Sequence, residues 1–205
     1  MNYKILATKE AIEKTIKALG ERGTEAFMVE NSAQALEKIK ELIPAGVSVM
    51  NGSSRTLEQV GFVDYLKEGK HGWNNLHEAI LTEPDKAKQG ELRKQAVLSD
   101  FYLGSVHALC ESGEFIIASN SGSQLSHVVF TSPNLIFVVG AQKITANLDA
   151  GMQRLHDYVI PLEDERLMKQ YNAHTYPSKV VIFNKEQPFS GRKVKMIIVS
   201  EVLGF

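Results

Sequence analysis

The sequence predicts an α/β fold with a mainly parallel sheet flanked by helices, and three observations predict it. Strand-like apolar runs alternate with helical stripes from the start of the chain. Residues 135–139 are apolar at every position, as a strand buried on both faces should be. Three strand-like runs each lead through a loop of small residues toward a helix start.

Taken in order, Ile12, Ile16 and Leu19 at i, i+4 and i+7 mark a helix over 9–19, with Thr8 placed to cap it and Gly20 to stop it. A short strand over 26–29 follows. Asn31-Ser32 then forms a capping pair for a helix carrying Leu36, Ile39, Leu42 and Ile43, which Pro44 ends. Residues 47–50 read as a strand, and Asn51-Gly52-Ser53-Ser54 leads from it into a helix through Leu57 and Val60. From 61 to 100 the periodicity is less decisive: Phe62, Tyr65 and Leu66 mark a helical turn or two, and 86–98 a polar helix entered through Pro84-Asp85. Strands over 108–110 and 115–118 flank Glu111-Ser112-Gly113-Glu114 as a hairpin. Asn120-Ser121-Gly122-Ser123 leads into a short helix over 124–130. After the strand at 135–139, Gly140-Ala141-Gln142-Lys143 opens a helix with Ile144, Leu148, Met152 and Leu155 on the face that packs on the sheet. Pro161 and Pro177 punctuate the remainder, and 179–183 and 194–199 are two further strands, the second entered through a turn over 188–191.

The 205 residues are expected to form one domain, with a small helical subregion around 61–100 and the polar stretch 69–90 as its best candidate boundary. With 43% hydrophobic and 23% charged residues, the composition excludes disorder and fibrous classes. Twenty-three basic against 24 acidic residues give a net charge of -1, so no global field draws the chain to nucleic acid or anionic lipid. Cys110 is the one cysteine, which excludes an internal disulfide and a cysteine-ligated iron–sulfur or zinc centre. A reducing, cytoplasmic setting is expected. No apolar run approaches the ~20 residues that span a bilayer, and the N-terminus carries no sustained apolar segment.

In a parallel α/β sheet, loops at the carboxyl ends of strands collect ligands, and their unpaired N–H groups favour phosphate or carboxylate. The candidate anion ligands are therefore Asn51, Gly52, Ser53 and Ser54 from the first loop, Asn120, Ser121, Gly122 and Ser123 from the second, and Gln142 and Lys143 from the third. Arg55 and Lys143 are the adjacent cations. Each of these residues is also at home as a plain cap or turn former. Glu111 and Glu114 are candidate catalytic carboxylates, as general base or nucleophile, if the hairpin bends toward the cleft; otherwise they simply solubilise the turn. Neither a Walker sequence nor a G-x-G-x-x-G fingerprint is present, and the six histidines lack an H-E-x-x-H spacing, so no cofactor and no metal site are expected.

The segments Gly52-Ser53-Ser54-Arg55-Thr56-Leu57, Leu103-Gly104-Ser105-Val106-His107-Ala108, Glu111-Ser112-Gly113-Glu114, 118–123, Val138-Val139-Gly140-Ala141-Gln142-Lys143-Ile144 and Glu201-Val202-Leu203-Gly204-Phe205 occur in an order that resembles the LUD domain. This is the lactate-utilisation protein C family, formerly a domain of unknown function, and the similarity runs from about residue 47 to the end. The resemblance implies a fold akin to the sugar-phosphate isomerases and CoA transferases, whose glycine-rich loops bind phosphorylated or acyl ligands. It also implies an accessory role in oxidising L-lactate or a related 2-hydroxy acid, beside partner subunits that carry iron–sulfur clusters. Two other readings stay open: an independent isomerase or acyl-CoA transferase with Glu111 or Glu114 as its working carboxylate, and a non-catalytic subunit that docks partners. A homodimer is the commonest assembly for such a chain.

Overall fold

The computed structural model describes residues 2–205. Local capping rules account for most helix starts. Helix α1 (Lys9–Glu21) begins where Thr8 accepts a hydrogen bond from the Ala11 N–H, and α2 (Ser32–Leu42) where Asn31 accepts from the Gln34 N–H. Ser54 does the same for α3 (Arg55–Gln59) through the Leu57 N–H. Helices α4 (Phe62–Lys67), α5 (Leu76–Thr82) and α6 (Lys86–Gln95) occupy the weakly patterned stretch, where the two-residue strand β3 (Asn74–Asn75) also joins the sheet edge.

The main sheet has six strands in the order β1-β10-β7-β4-β2-β3, paired in parallel throughout. Besides β3 its members are β1 (Thr24–Val29), β2 (Ser48–Asn51), β4 (Phe101–Gly104), β7 (Asn134–Gly140) and β10 (Lys193–Val199). Strand β4 is an addition to the sequence reading, which places no strand there. Its four residues, Phe-Tyr-Leu-Gly, are all buried, so they show neither alternation nor a long apolar run. Asp100 fixes its entry: the carboxylate accepts from the Ser48 N–H (2.8 Å) and hydroxyl (2.6 Å), while Asn134 Nδ2 donates to the Asp100 carbonyl (2.9 Å). One aspartate thus ties the starts of three neighbouring strands.

A second sheet, in the order β8-β5-β6-β9, packs beside the first. Strands β5 (Ala108–Cys110) and β6 (Phe115–Ser119) form the antiparallel hairpin, β9 (Lys179–Phe183) pairs antiparallel with β6, and β8 (Ile144–Thr145) pairs parallel with β5. Ile144 is therefore a strand residue, in place of the helical position that its spacing suggested. The helix starts later, at α7 (Leu148–Arg154), where Asn147 accepts from the Ala150 N–H. A π turn over Leu155–Val159 carries it into α8 (Ile160–Tyr171). Pro161 does not end this run; it sits in the first turn of α8, after a widened turn that tolerates a residue with no N–H to donate. The helix expected over 124–130 is likewise a π turn, at His127–Thr131.

Alternation along β7 divides the interior. Leu135, Phe137 and Val139 face α1 and the second sheet, while Ile136 and Val138 pack with Ile39, Leu57 and Phe62 from the helices on the other side. The outer face of the hairpin, at Ala108 and Ile116, is covered by Leu155 and Val159.

Candidate functional site

Because every pairing in the main sheet is parallel, the carboxyl ends of β2, β4, β7 and β10 open on one side. The loops that leave them, together with the end of β6 and the face of α8, enclose a cavity of about 590 Å³. Ser53 follows β2, Ser105 and His107 follow β4, Lys143 follows β7, Ser123 follows β6 and Gly204 follows β10; all six line that cavity. Residues some 90 positions apart in sequence thus meet through strand order alone.

Lys143 is the unusual group. It is 2% exposed, and its Nζ donates to Thr56 Oγ1 (3.0 Å), Ser105 Oγ (3.1 Å) and the Val106 carbonyl (3.2 Å). All three acceptors are neutral, and among the described residues no carboxylate lies within ion-pair distance of it. Burial first, and Arg154 second, bring its pKa down to about 7. Arg154 is itself fully buried, donates to the His107 carbonyl, and lies 5.3 Å from the centroid of the Tyr158 ring. The other charged groups lining the cavity are compensated: Arg55 pairs with Glu58, and Arg166 grips Glu163 through two bonds of 2.7 Å.

His107 adds a neutral donor. Its Nδ1 accepts from the Ala118 N–H (3.0 Å), which leaves the proton on Nε2. Desolvation, and then the charges of Lys143 and Arg154, push its pKa down to about 3, so it stays neutral across the physiological range.

Two glycines let the walls close. A Cβ on Gly52 would stand 2.6 Å from the hydroxyl of the buried Tyr102, whose ring also stacks on His127. Gly204 has φ +63 and occupies a spot where a Cβ would strike Thr56 Oγ1 and stand 3.1 Å from Lys143 Nζ. In the 119–123 loop, Gly122 turns at φ +86 while its N–H donates to Ser119 Oγ (2.9 Å), and Ser121 and Ser123 hydroxyls sit 3.1 Å apart.

Of the candidate residues, Gly52, Ser53, Ser54 and Arg55 line the cavity, as do Asn120, Ser121, Ser123 and Lys143. Three stand behind it. Asn51 donates to the Gly52 carbonyl (3.2 Å) and faces His77 Nδ1 (3.1 Å), Gly122 shapes its turn, and Gln142 clamps Leu203 by donating to its carbonyl (2.8 Å) and accepting from its N–H (3.3 Å). Glu111 and Glu114 are elsewhere. Neither lines the cavity; Lys14 Nζ meets Glu111 at 2.8 Å and Arg22 meets Glu114, so both carboxylates tie the hairpin tip to α1. The pair therefore stands away from the cavity: the antiparallel hairpin turns its tip toward α1, and among the described residues the carboxylate lining the cavity is Glu163. Thr56, Ser105, His107, Glu163 and Arg166 also line the cavity and are not among the candidate ligands, although the first three fall within the family-like segments. Ser105 and His107 lie just beyond the unrecognised β4, and Glu163 and Arg166 look in sequence like an ordinary exposed i, i+3 pair.

E114Q is expected to cost about 1 kcal/mol of stability, the scale of one partly exposed charged hydrogen bond, and E111Q less. Both variants should bind any cavity ligand as the parent does, which calorimetric titration and thermal melts would check.

A family model for the LUD domain matches residues 12–199. The chain belongs to the LUD-domain family. The match spans β1 to β10 and includes Ser53, Ser123 and Lys143. A crystal structure of a DUF162 family protein from Deinococcus radiodurans shares the LUD-domain chain's fold at a TM-score of 0.53 and 11% identity, covering 95% of this chain and 99% of that one. None of the curated proteins matches. Among the described residues of this LUD-domain protein, no helix is long and apolar enough to cross a membrane, and no cluster of three or more His, Cys, Asp or Glu could hold a metal ion.

Proposed function

We propose that this LUD-domain protein binds an organic anion, through a carboxylate or phosphate, in the cavity at the carboxyl ends of its main sheet. One observation carries the reading: Lys143 is a buried amine on the cavity wall whose hydrogen bonds go to neutral groups and whose charge has no carboxylate partner among the described residues. A buried charge is costly unless paired, and an anion beside it supplies the pair. The hydroxyls of Ser53 and Ser123 and the Nε2–H of His107 add donors suited to oxyanions. Lactate and pyruvate are the first carboxylates to test, given the 2-hydroxy acid oxidation that the family resemblance implies. In that role the redox chemistry would belong to iron–sulfur partner subunits, since one cysteine cannot hold a cluster.

Thermal denaturation with lactate, pyruvate, inorganic phosphate and a sugar phosphate tests the reading. A ligand at 100 times its dissociation constant stabilises by about 2.7 kcal/mol, and each kcal/mol is roughly 2–4 °C for a chain of this size. No shift with any of the four would overturn it.

Protonation supplies a sharper check. With the free amine titrating near 7, an anion that pairs with the ammonium raises that pKa on binding, so complex formation at pH 8 takes up close to one proton and at pH 5.5 almost none. Affinity should fall about tenfold for each pH unit above 7. The groups near the amine do not mimic this: His107 titrates far below the window, and Arg154 stays charged throughout it. Titration calorimetry in buffers of different ionisation enthalpy reads the uptake. In the ligand-free protein the sign is opposite for folding. An unfolded lysine holds its proton to about 10.4, so the unfolded state binds more protons between pH 7 and 10, and the contribution of Lys143 to stability rises with pH across that window.

A further inference from the structure

Resting on the anion-site reading, the chemistry of the remaining cavity wall identifies what else the ligand carries. The polar lining comes from the loops at the sheet's carboxyl ends. The π turn, α8 and the segment after it contribute a different surface: Leu155, Val159, Leu167, Tyr171 and Tyr176, with Phe205 from the chain's last turn. Leu155 and Val159 are core residues, but Tyr171 and Tyr176 are 63% and 65% exposed although they border the cavity. Two large aromatic rings bordering a cavity, each mostly uncovered by the protein's own side chains, form a platform for an apolar or aromatic guest. Size agrees. A molecule of six heavy atoms fills a pocket of roughly 150 Å³, whereas this cavity measures about 590 Å³, within the range of pockets that enclose drug-sized ligands. Pyruvate or lactate, each with six heavy atoms, would leave most of it to water.

We infer that the ligand is an organic acid with an aryl or branched-alkyl body, its anionic group directed to Lys143 and its apolar part laid against Leu167, Phe205 and the two tyrosines. The chemistry needs no further charge at the far end, because Glu163 and Arg166 neutralise one another there.

The test compares pyruvate with phenylpyruvate and lactate with phenyllactate by titration calorimetry at pH 6.5, alongside phenylacetamide as an uncharged aryl probe. The aryl acids are expected to bind at least tenfold tighter than their three-carbon parents. In Y171A/Y176A, whose exposed positions leave folding intact, the aryl-to-parent affinity ratio should narrow to below about threefold. Equal affinities for parent and aryl acid, or a ratio that survives the double substitution, would overturn the inference while leaving the anion site standing. Phenylacetamide binding as tightly as the aryl acids, or no acid binding at all, would instead remove the anion site itself and the inference with it.

Discussion

K143M should weaken binding of any anionic ligand by about 10- to 100-fold while leaving the protein folded. The affinity loss follows from removing the ammonium that pairs with the anion, a charge-assisted contact taken in place of one of the three neutral acceptors and worth about 1.5–3 kcal/mol, where each 1.4 kcal/mol is a factor of ten. The folding side is less obvious, and magnitudes decide it. Met is unbranched and close to Lys in length, so it fills the channel between Thr56, Ser105 and Gly204 without a cavity. Losing the ammonium relieves a desolvation cost that no carboxylate among the described residues offsets. Against that, three acceptors lose a donor. Two of them have somewhere to turn: Thr56 Oγ1 lies 3.5 Å from the Leu203 carbonyl and Ser105 Oγ 3.5 Å from the Val106 carbonyl. The opposing terms are each about 1–3 kcal/mol, so the melting temperature should move by only a few degrees. Ligand affinity within twofold of the parent would show that Lys143 is a structural tether and nothing more.

G140A is expected to be the most damaging single methyl that can be added near the site. The backbone there is ordinary, at φ -68, so the cost is not conformational strain. It is volume: the new Cβ would collide with Gln142 Oε1 and stand 2.7 Å from the Leu203 nitrogen and 2.8 Å from the Glu201 carbonyl oxygen. Two of those three atoms are backbone, and the third is the amide that holds Leu203. Relieving the clash therefore means releasing the segment after β10, which carries Gly204 and Phe205 into the cavity wall. Overpacking typically costs about 1–3 kcal/mol, a fall of roughly 2–12 °C at 2–4 °C per kcal/mol. Ligand binding should weaken in parallel. G90A is the contrast: a Cβ there meets nothing within 4 Å in the middle of α6, so replacing that glycine should raise stability by about 0.5–1 kcal/mol. Equal melting temperatures for G140A and the parent would refute the clamp.

Signals that act over a few residues are legible in the sequence alone. The caps at Thr8, Asn31, Ser54 and Asp85 each satisfy an N–H two or three positions on, and the turn at Gly113 closes through Cys110, whose N–H donates to the Glu114 carbonyl and whose carbonyl accepts from the Gly113 N–H. The buried run 135–139 announced the central strand, and small residues after strands marked three loops of interest. Where local and long-range pairing competed, the sequence misled: Ile144 keeps helical spacing with Leu148, yet it forms a bridge to Leu109. Strand β4 left no pattern because both of its faces are covered.

By itself the sequence determined the family, through the order of its motif segments along the chain, and the α/β class, the capped helix starts and the small-residue loops, because these depend on hydrogen bonds and periodicities spanning about four residues. Only the tertiary structure decided that β7 lies between β10 and β4, that Lys143 thereby meets Thr56 and Ser105, and that Glu111 and Glu114 turn toward α1. Such meetings follow from strand order, parallel direction and the packing of one layer on another, quantities to which residues far apart in the chain contribute jointly.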